Sequence, residues 1–145
     1  MSDRSSPGAK YEHLVPVPWG TVRIEAIGAG GSVPFIDLAV STVAAEESCV
    51  TVAVVPPDMA SVLIRIIGDD AQDGESVVFD GYLEVPEGLV EVADVASEEF
   101  AFVYRVPVGN MHLRIVVDDV LEATTLTISM SQLIEEVAQS KTDRT

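Results

Sequence analysis

The chain has 145 residues, a size suited to one domain, and 48% of them are hydrophobic, enough to fill a substantial core. Twenty-four acids against eight Lys and Arg leave a net charge of −16, which speaks against nucleic acid as a partner, because phosphates need cationic side chains. The apolar runs, such as residues 50–55 and 62–67, are far shorter than the ~20 residues of a membrane-crossing helix, and the polar N-terminus does not read as a secretory signal, so the expectation is a cytoplasmic protein without a membrane partner.

Residues 1–10 are polar and expected as a tail, with a domain over 11–139 and a second tail at 140–145. Trp19, set between Pro18 and Gly20, has two readings: a plug at one end of the fold, or an exposed anchor of the type enriched at interface hot spots. Thr21 to Ile27 alternates, with Val22, Ile24 and Ala26 on one face and Arg23 and Glu25 on the other, the mark of a half-buried strand. Gly28 to Ser32 is a glycine-rich loop that lacks the Lys-Ser/Thr ending of a phosphate loop.

Residues 35–40 keep Ile36, Leu38 and Val40 on one parity and predict a strand. The runs 49–55 and 62–67 are almost continuously apolar and predict strands buried on both faces. Cys49 opens the first of them, and its plain role is a small buried hydrophobe, since a lone cysteine has no intrachain partner.

The second half is more amphipathic. Val77, Phe79, Leu83 and Val85 share a parity, the turn at Pro86, Glu87 and Gly88 reverses the chain, and Leu89 to Val95 returns. Phe100, Phe102 and Tyr104 predict a core stripe, followed by a turn at 107–110, a strand at 111–117 and another at 124–130. A short helix is predicted over residues 131–139, where Ser131 could cap and Leu133, Ile134, Val137 and Ala138 form an apolar stripe. The fold class expected is therefore all-β: an antiparallel sandwich of about eight or nine strands with a short C-terminal helix.

The chemistry-bearing residues are sparse. His13 and His112 sit in no motif, and no Gly-x-Ser-x-Gly elbow is present. One Cys and two distant His do not suit a structural zinc site. The stretch from Gly68 to Glu75, with Asp69, Asp70 and Asp73 around Gly74, has hard oxygen ligands. Yet Ala71 occupies the third position of an EF-hand-like count and Asp80 replaces the bidentate Glu, so an acidic turn is the simpler reading. The sequence thus predicts no catalytic residue, no cofactor and no metal.

Charge is the informative feature. Residues 69–122 carry fourteen acids against Arg105 and Arg114. A binding role through this acidity would use Asp69, Asp70, Asp73, Glu87, Glu91, Glu98 and Glu99, with Trp19 as the apolar contact. The mean hydropathy of +0.32 is high for so acidic a chain. Either both sheets are buried in a thick sandwich, or apolar surface is covered by a partner, which includes a second copy.

The cadence of residues 83–94, Leu-Glu-Val-Pro-Glu-Gly-Leu-Val-Glu-Val-Ala-Asp, followed by Val-Pro-Val-Gly-Asn-Met-His-Leu-Arg-Ile-Val-Val at 106–117, resembles small bacterial β-sandwich proteins of the competence nuclease-inhibitor and immunity-protein type. The resemblance spans residues 77–130. It implies a non-catalytic acidic protein that occludes a basic enzyme such as a nuclease. The competing expectation is a self-associating structural or assembly protein of phage or shell type.

Overall fold

The computed structural model describes residues 10–68, 76–96 and 99–138. They form eleven strands: β1 (Lys10–Val15), β2 (Thr21–Ala26), β3 (Val43–Ala45), β4 (Cys49–Ala53), β5 (Val62–Ile67), β6 (Ser76–Val85), β7 (Leu89–Asp94), β8 (Ala101–Arg105), β9 (Gly109–Val117), β10 (Thr125–Met130) and β11 (Glu135–Ala138). Two sheets result, one of order β1-β5-β10-β9-β6 and one of order β11-β8-β7-β2-β4-β3. Every pairing is antiparallel except β5 with β10, which run parallel.

The period-two pattern explains the core. Val22, Ile24 and Ala26 on β2, Val90 and Val92 on β7, and Phe102 and Tyr104 on β8 point inward from the six-stranded sheet. They meet Ile64, Ile66, Leu113, Ile115, Leu126 and Ile128 of the other. Burying such side chains is worth about 1.5–3 kcal/mol each, so this interlayer holds the sandwich together. The predicted stripe of Phe100, Phe102 and Tyr104 is indeed buried.

Four expectations need correction. The helix over 131–139 is absent, and its described part is a turn followed by β11. Gln132 takes a left-handed φ of 58°, which breaks any helix at its first turn. Ile134 then donates its N–H to Arg105 O at 2.9 Å, and Glu135 and Glu136 pair with Arg105 and Tyr104 of β8. The open edge of β8 offers a ladder that a two-turn helix, marginal by itself, cannot match.

The segment 35–40 is a loop rather than a strand. Asp37 nucleates it as a turn, its carbonyl accepting from Val40 at 2.8 Å and Ser41 at 3.0 Å, and its carboxylate from Ala39 at 3.1 Å. The short β3 takes the sheet edge instead. Next, β5 is not buried on both sides, because Leu63, Arg65 and Ile67 are only half-buried. Finally, a β-bulge between Val77 and Phe79 places Val77 opposite Val116 on the outer face, so Val77 does not share the inward parity of Leu83 and Val85.

The turn from β6 to β7 depends on Gly88. Its φ is +72°, and an added Cβ would come within 2.9 Å of the Val106 carbonyl oxygen. Gly30 has a similar φ of +77° with open space around it. Gly88→Ala is therefore expected to destabilise the fold by about 1–3 kcal/mol and by more than Gly30→Ala. Urea unfolding of the two variants separates backbone strain from the contact, and equal costs would refute the role of that carbonyl.

Candidate protein-binding end of the sandwich

One end of the sandwich gathers the β1–β2 turn, the end of the β2–β3 loop and the β4–β5, β7–β8 and β9–β10 loops. Backbone bonds tie them together. Gly20 N–H donates to Val17 O at 2.9 Å and Val54 N–H to Gly20 O at 2.9 Å. Ala53 N–H donates to Thr42 O at 2.9 Å and Val55 N–H to Ala123 O at 3.1 Å. The outer wall of the β2–β3 loop is pinned as well, since Thr51 Oγ1, fully buried, donates to Pro34 O at 3.3 Å.

Trp19 stands on this end with 65% of its surface exposed. That excludes the plug reading and leaves the exposed one. Its position is set by Asp94 at the end of β7, which is buried at 0% exposure and accepts Trp19 N–H on Oδ1 and Ala96 N–H on Oδ2, each at 3.0 Å. Around Trp19, residues Ile36, Leu38, Ala53, Val54 and Leu121, together with Thr21 and Thr42, line a hollow of about 470 Å³. Leu38 and Leu121 are 70% and 86% exposed, and Phe35 and Val40 of the same β2–β3 loop are exposed too. Contiguous exposed apolar surface of this kind marks an interaction site more often than a scattered residue does.

Leu121 is held outward by its own loop. Asp119 Oδ1 accepts the N–H of Leu121 at 2.9 Å and of Glu122 at 3.2 Å, an Asx-type turn. Asp118 closes the other side, accepting Thr124 and Thr125 N–H at 3.0 Å each and the Thr124 hydroxyl at 2.6 Å. Partial burial works against its charge, but the bonds from the Thr124 hydroxyl and the Thr125 and Thr124 amides outweigh this and hold its carboxyl below the usual range.

The same loops carry Asp37, Asp58, Glu99, Asp118, Asp119 and Glu122 at exposed positions, and no Lys or Arg occurs in segments 16–20, 36–42, 54–61, 95–100 or 118–124. Apolar surface and carboxylates thus share one end of the molecule. Of the residues singled out from sequence, Trp19 and Glu99 belong here. Glu87 lies at the opposite end, its carboxylate over Gly28. Glu91 is on the outer face of the six-stranded sheet, where Arg23 bridges it at 2.8 Å and Glu25 at 2.5 Å. Asp69, Asp70, Asp73 and Glu98 lie outside the described residues, as does most of the calcium-like stretch 68–75. The acids therefore do not form one patch, and Leu38 and Leu121 enter the site unforeseen. The signal for Leu121 was present as a lone large aliphatic inside an acidic loop between two strands.

The histidines are engaged elsewhere. His13 Nε2 meets Glu136 Oε2 at 2.5 Å, its ring stacks on Phe102 with centroids 3.8 Å apart, and the Tyr104 hydroxyl donates to the same carboxylate oxygen at 2.8 Å. His112 Nε2 bonds Asp80 Oδ1 at 2.6 Å on the outer face of the five-stranded sheet. Cys49 is fully buried, and burial above all, with the Glu25 charge, pushes its thiol up to about 12, which suits a packing role. Among the described residues, no group of three or more His, Cys, Asp or Glu could hold a metal ion. Nor does any helix there have the length and apolarity to cross a membrane.

No protein-family model matches the chain, and no curated protein matches it. Among solved structures, that of ComJ from Bacillus subtilis, inhibitor of the DNA-degrading activity of NucA, superposes with a TM-score of 0.65 at 12% identity. The match covers 88% of this chain and 99% of ComJ. At that identity the likeness is one of fold. The hairpin cadence of residues 77–130 therefore resembled the right architecture, and the chain shares the two-sheet fold of ComJ.

Proposed function

We propose that the chain is a non-catalytic inhibitor that binds a basic enzyme, such as a nuclease, through its Trp19 end. The observation that carries this reading is the coincidence, on one end of the fold, of an exposed apolar surface with loops whose charged residues are all acids. Apolar contact supplies affinity, while carboxylates steer the encounter with an enzyme that is positive because it binds phosphates. The fold shared with ComJ supports the same reading. So does the placement of both histidines, each committed to a carboxylate, and of Cys49 beneath the surface.

The test is inhibition of DNA degradation by purified basic nucleases, with the complex followed by isothermal titration at low and high salt. The expected result is dose-dependent inhibition that weakens between 50 and 500 mM salt, because exposed charges more than about 10 Å apart are screened at ~0.1 M. Trp19→Ala should abolish it while leaving the melting temperature unchanged. Absence of inhibition and of binding across these enzymes would overturn the proposal. A salt-resistant oligomer of the chain alone, lost on Trp19→Ala, would instead assign this end to assembly.

A further inference from the structure

Building on that reading, we propose that the hollow beside Trp19 is an acceptor for one protruding apolar side chain of the partner, presented on a segment flanked by Lys or Arg. The inhibitor on this view does not act by pushing a carboxylate into an active site. It grips a neighbouring surface feature of its target.

The shape of the site argues for this. Its lining sets the large side chains of Trp19, Ile36, Leu38 and Leu121 against Gly20 and Ala53, two of the smallest residues, with Thr21 and Thr42 as its polar members. The result is concave, and its volume of about 470 Å³ lies within the range of pockets that enclose ligands. The strand side of this lining is held in place, because Ala53 ends β4 and Val54 follows it, and their N–H groups bond Thr42 O and Gly20 O. A preformed, mainly apolar hollow held by backbone bonds takes a side chain at low ordering cost.

Charge identifies the occupant. The loops around the hollow hold Asp37, Asp58, Glu99, Asp119 and Glu122 and no cation. A second copy entering here would bring a chain of net charge −16 against loops whose charged residues are all acids, and like charges facing across an interface are costly. A basic segment bearing a Phe, Leu or Trp meets neither objection. The hollow would take the apolar side chain, and the rim would pair with its flanking cations.

The experiment uses the full chain, immobilised, against a phage library of random twelve-residue peptides, followed by titration of the selected peptides. Expected are peptides with a Phe, Leu, Ile or Trp adjacent to Lys or Arg. Their affinity should fall at least 30-fold on Trp19→Ala or Leu121→Asp and hold on Tyr82→Ala, an exposed aromatic on the outer face of the other sheet. Selected peptides should also quench or shift the emission of Trp19, the single tryptophan. Peptides lacking this pattern, peptides that bind the Trp19→Ala chain equally well, or no selection at all would each overturn the proposal. A peptide that docks at Trp19 while no nuclease is inhibited would uphold the acceptor site and remove the inhibitor reading. Inhibition of a nuclease that such a peptide fails to relieve would do the reverse.

Discussion

Replacing Asp94 with alanine should cost the fold about 2–4 kcal/mol, the sum of two hydrogen bonds to a buried carboxylate lost and two part-buried amides left unsatisfied. The carboxylate is wholly buried at the end of β7 and divides its oxygens between the N–H groups of Trp19 and Ala96, 75 and 2 residues away in sequence. It thus fastens the β1–β2 turn to the start of the β7–β8 loop. Asp94→Asn keeps one acceptor and turns an NH₂ toward the other amide, so its cost should be intermediate or greater than half. Urea unfolding gives the stability. The emission of Trp19 reports the turn itself, and in Asp94→Ala it should shift before the global transition begins. An unchanged midpoint with unchanged emission would show that the two bonds contribute nothing net.

That pair of bonds also shows where sequence reading stops. Strand parity was legible, because a half-buried strand writes its burial into alternate residues: β2, β8, β9 and β10 stand where Val22-Ile24-Ala26, Phe102-Tyr104, Leu113-Ile115 and Leu126-Ile128 placed them. The edges were not. β3 is three residues long and β11 four, too short to show a period. The apolar stripe at 133–138 fits a helix as well as a strand until the vacant edge of β8 is known. Residues 35–40 alternate like a strand, but the alternation there faces solvent and a hollow rather than a core.

The site was legible only in its composition. An excess of carboxylates can be counted from sequence, yet their use depends on neighbours that are distant along the chain. Glu91 looked available and is engaged by Arg23; Asp94, which closes the 83–94 cadence, is an internal fastener that no local pattern marks. Trp19, flanked by Pro18 and Gly20, left two readings that only its exposure could separate. Leu38 and Leu121 lie 83 residues apart in the chain, and nothing local couples them.

The edge between β1 and β11 is closed by a polar fastening inside an otherwise apolar interlayer. Each strand is the outermost of its sheet, and Glu136 receives both the Tyr104 hydroxyl and His13. Such a buried set is favourable only while all its members are paired. Tyr104, at 0% exposure, therefore has to remain protonated to donate.

Alkali should break this arrangement. Burial first, then the hydrogen bond to Glu136 and its charge, raise the Tyr104 hydroxyl well above its ordinary value of 10.0, while burial and Glu25 raise the Cys49 thiol from 9.0 to about 12. Both folded-state values lie above the unfolded ones, so on raising the pH the unfolded chain sheds these protons first. The stability they contribute is complete below pH 9 and is lost as pH rises. From pH 9 to 10 the thiol alone should withdraw about 1.4 kcal/mol per pH unit, and above pH 10 the two together about twice that. Urea midpoints measured from pH 7 to 11 should be flat at first and then fall with this break. Cys49→Val should remove the part of the slope that starts near pH 9. Tyr104→Phe, though less stable at neutral pH for removing one of the two groups bonded to Glu136, should lose the steeper part above pH 10. If both variants keep the slope of the parent chain, alkaline unfolding comes from general repulsion in a protein already at net charge −16, and the buried hydroxyl and thiol are not its cause.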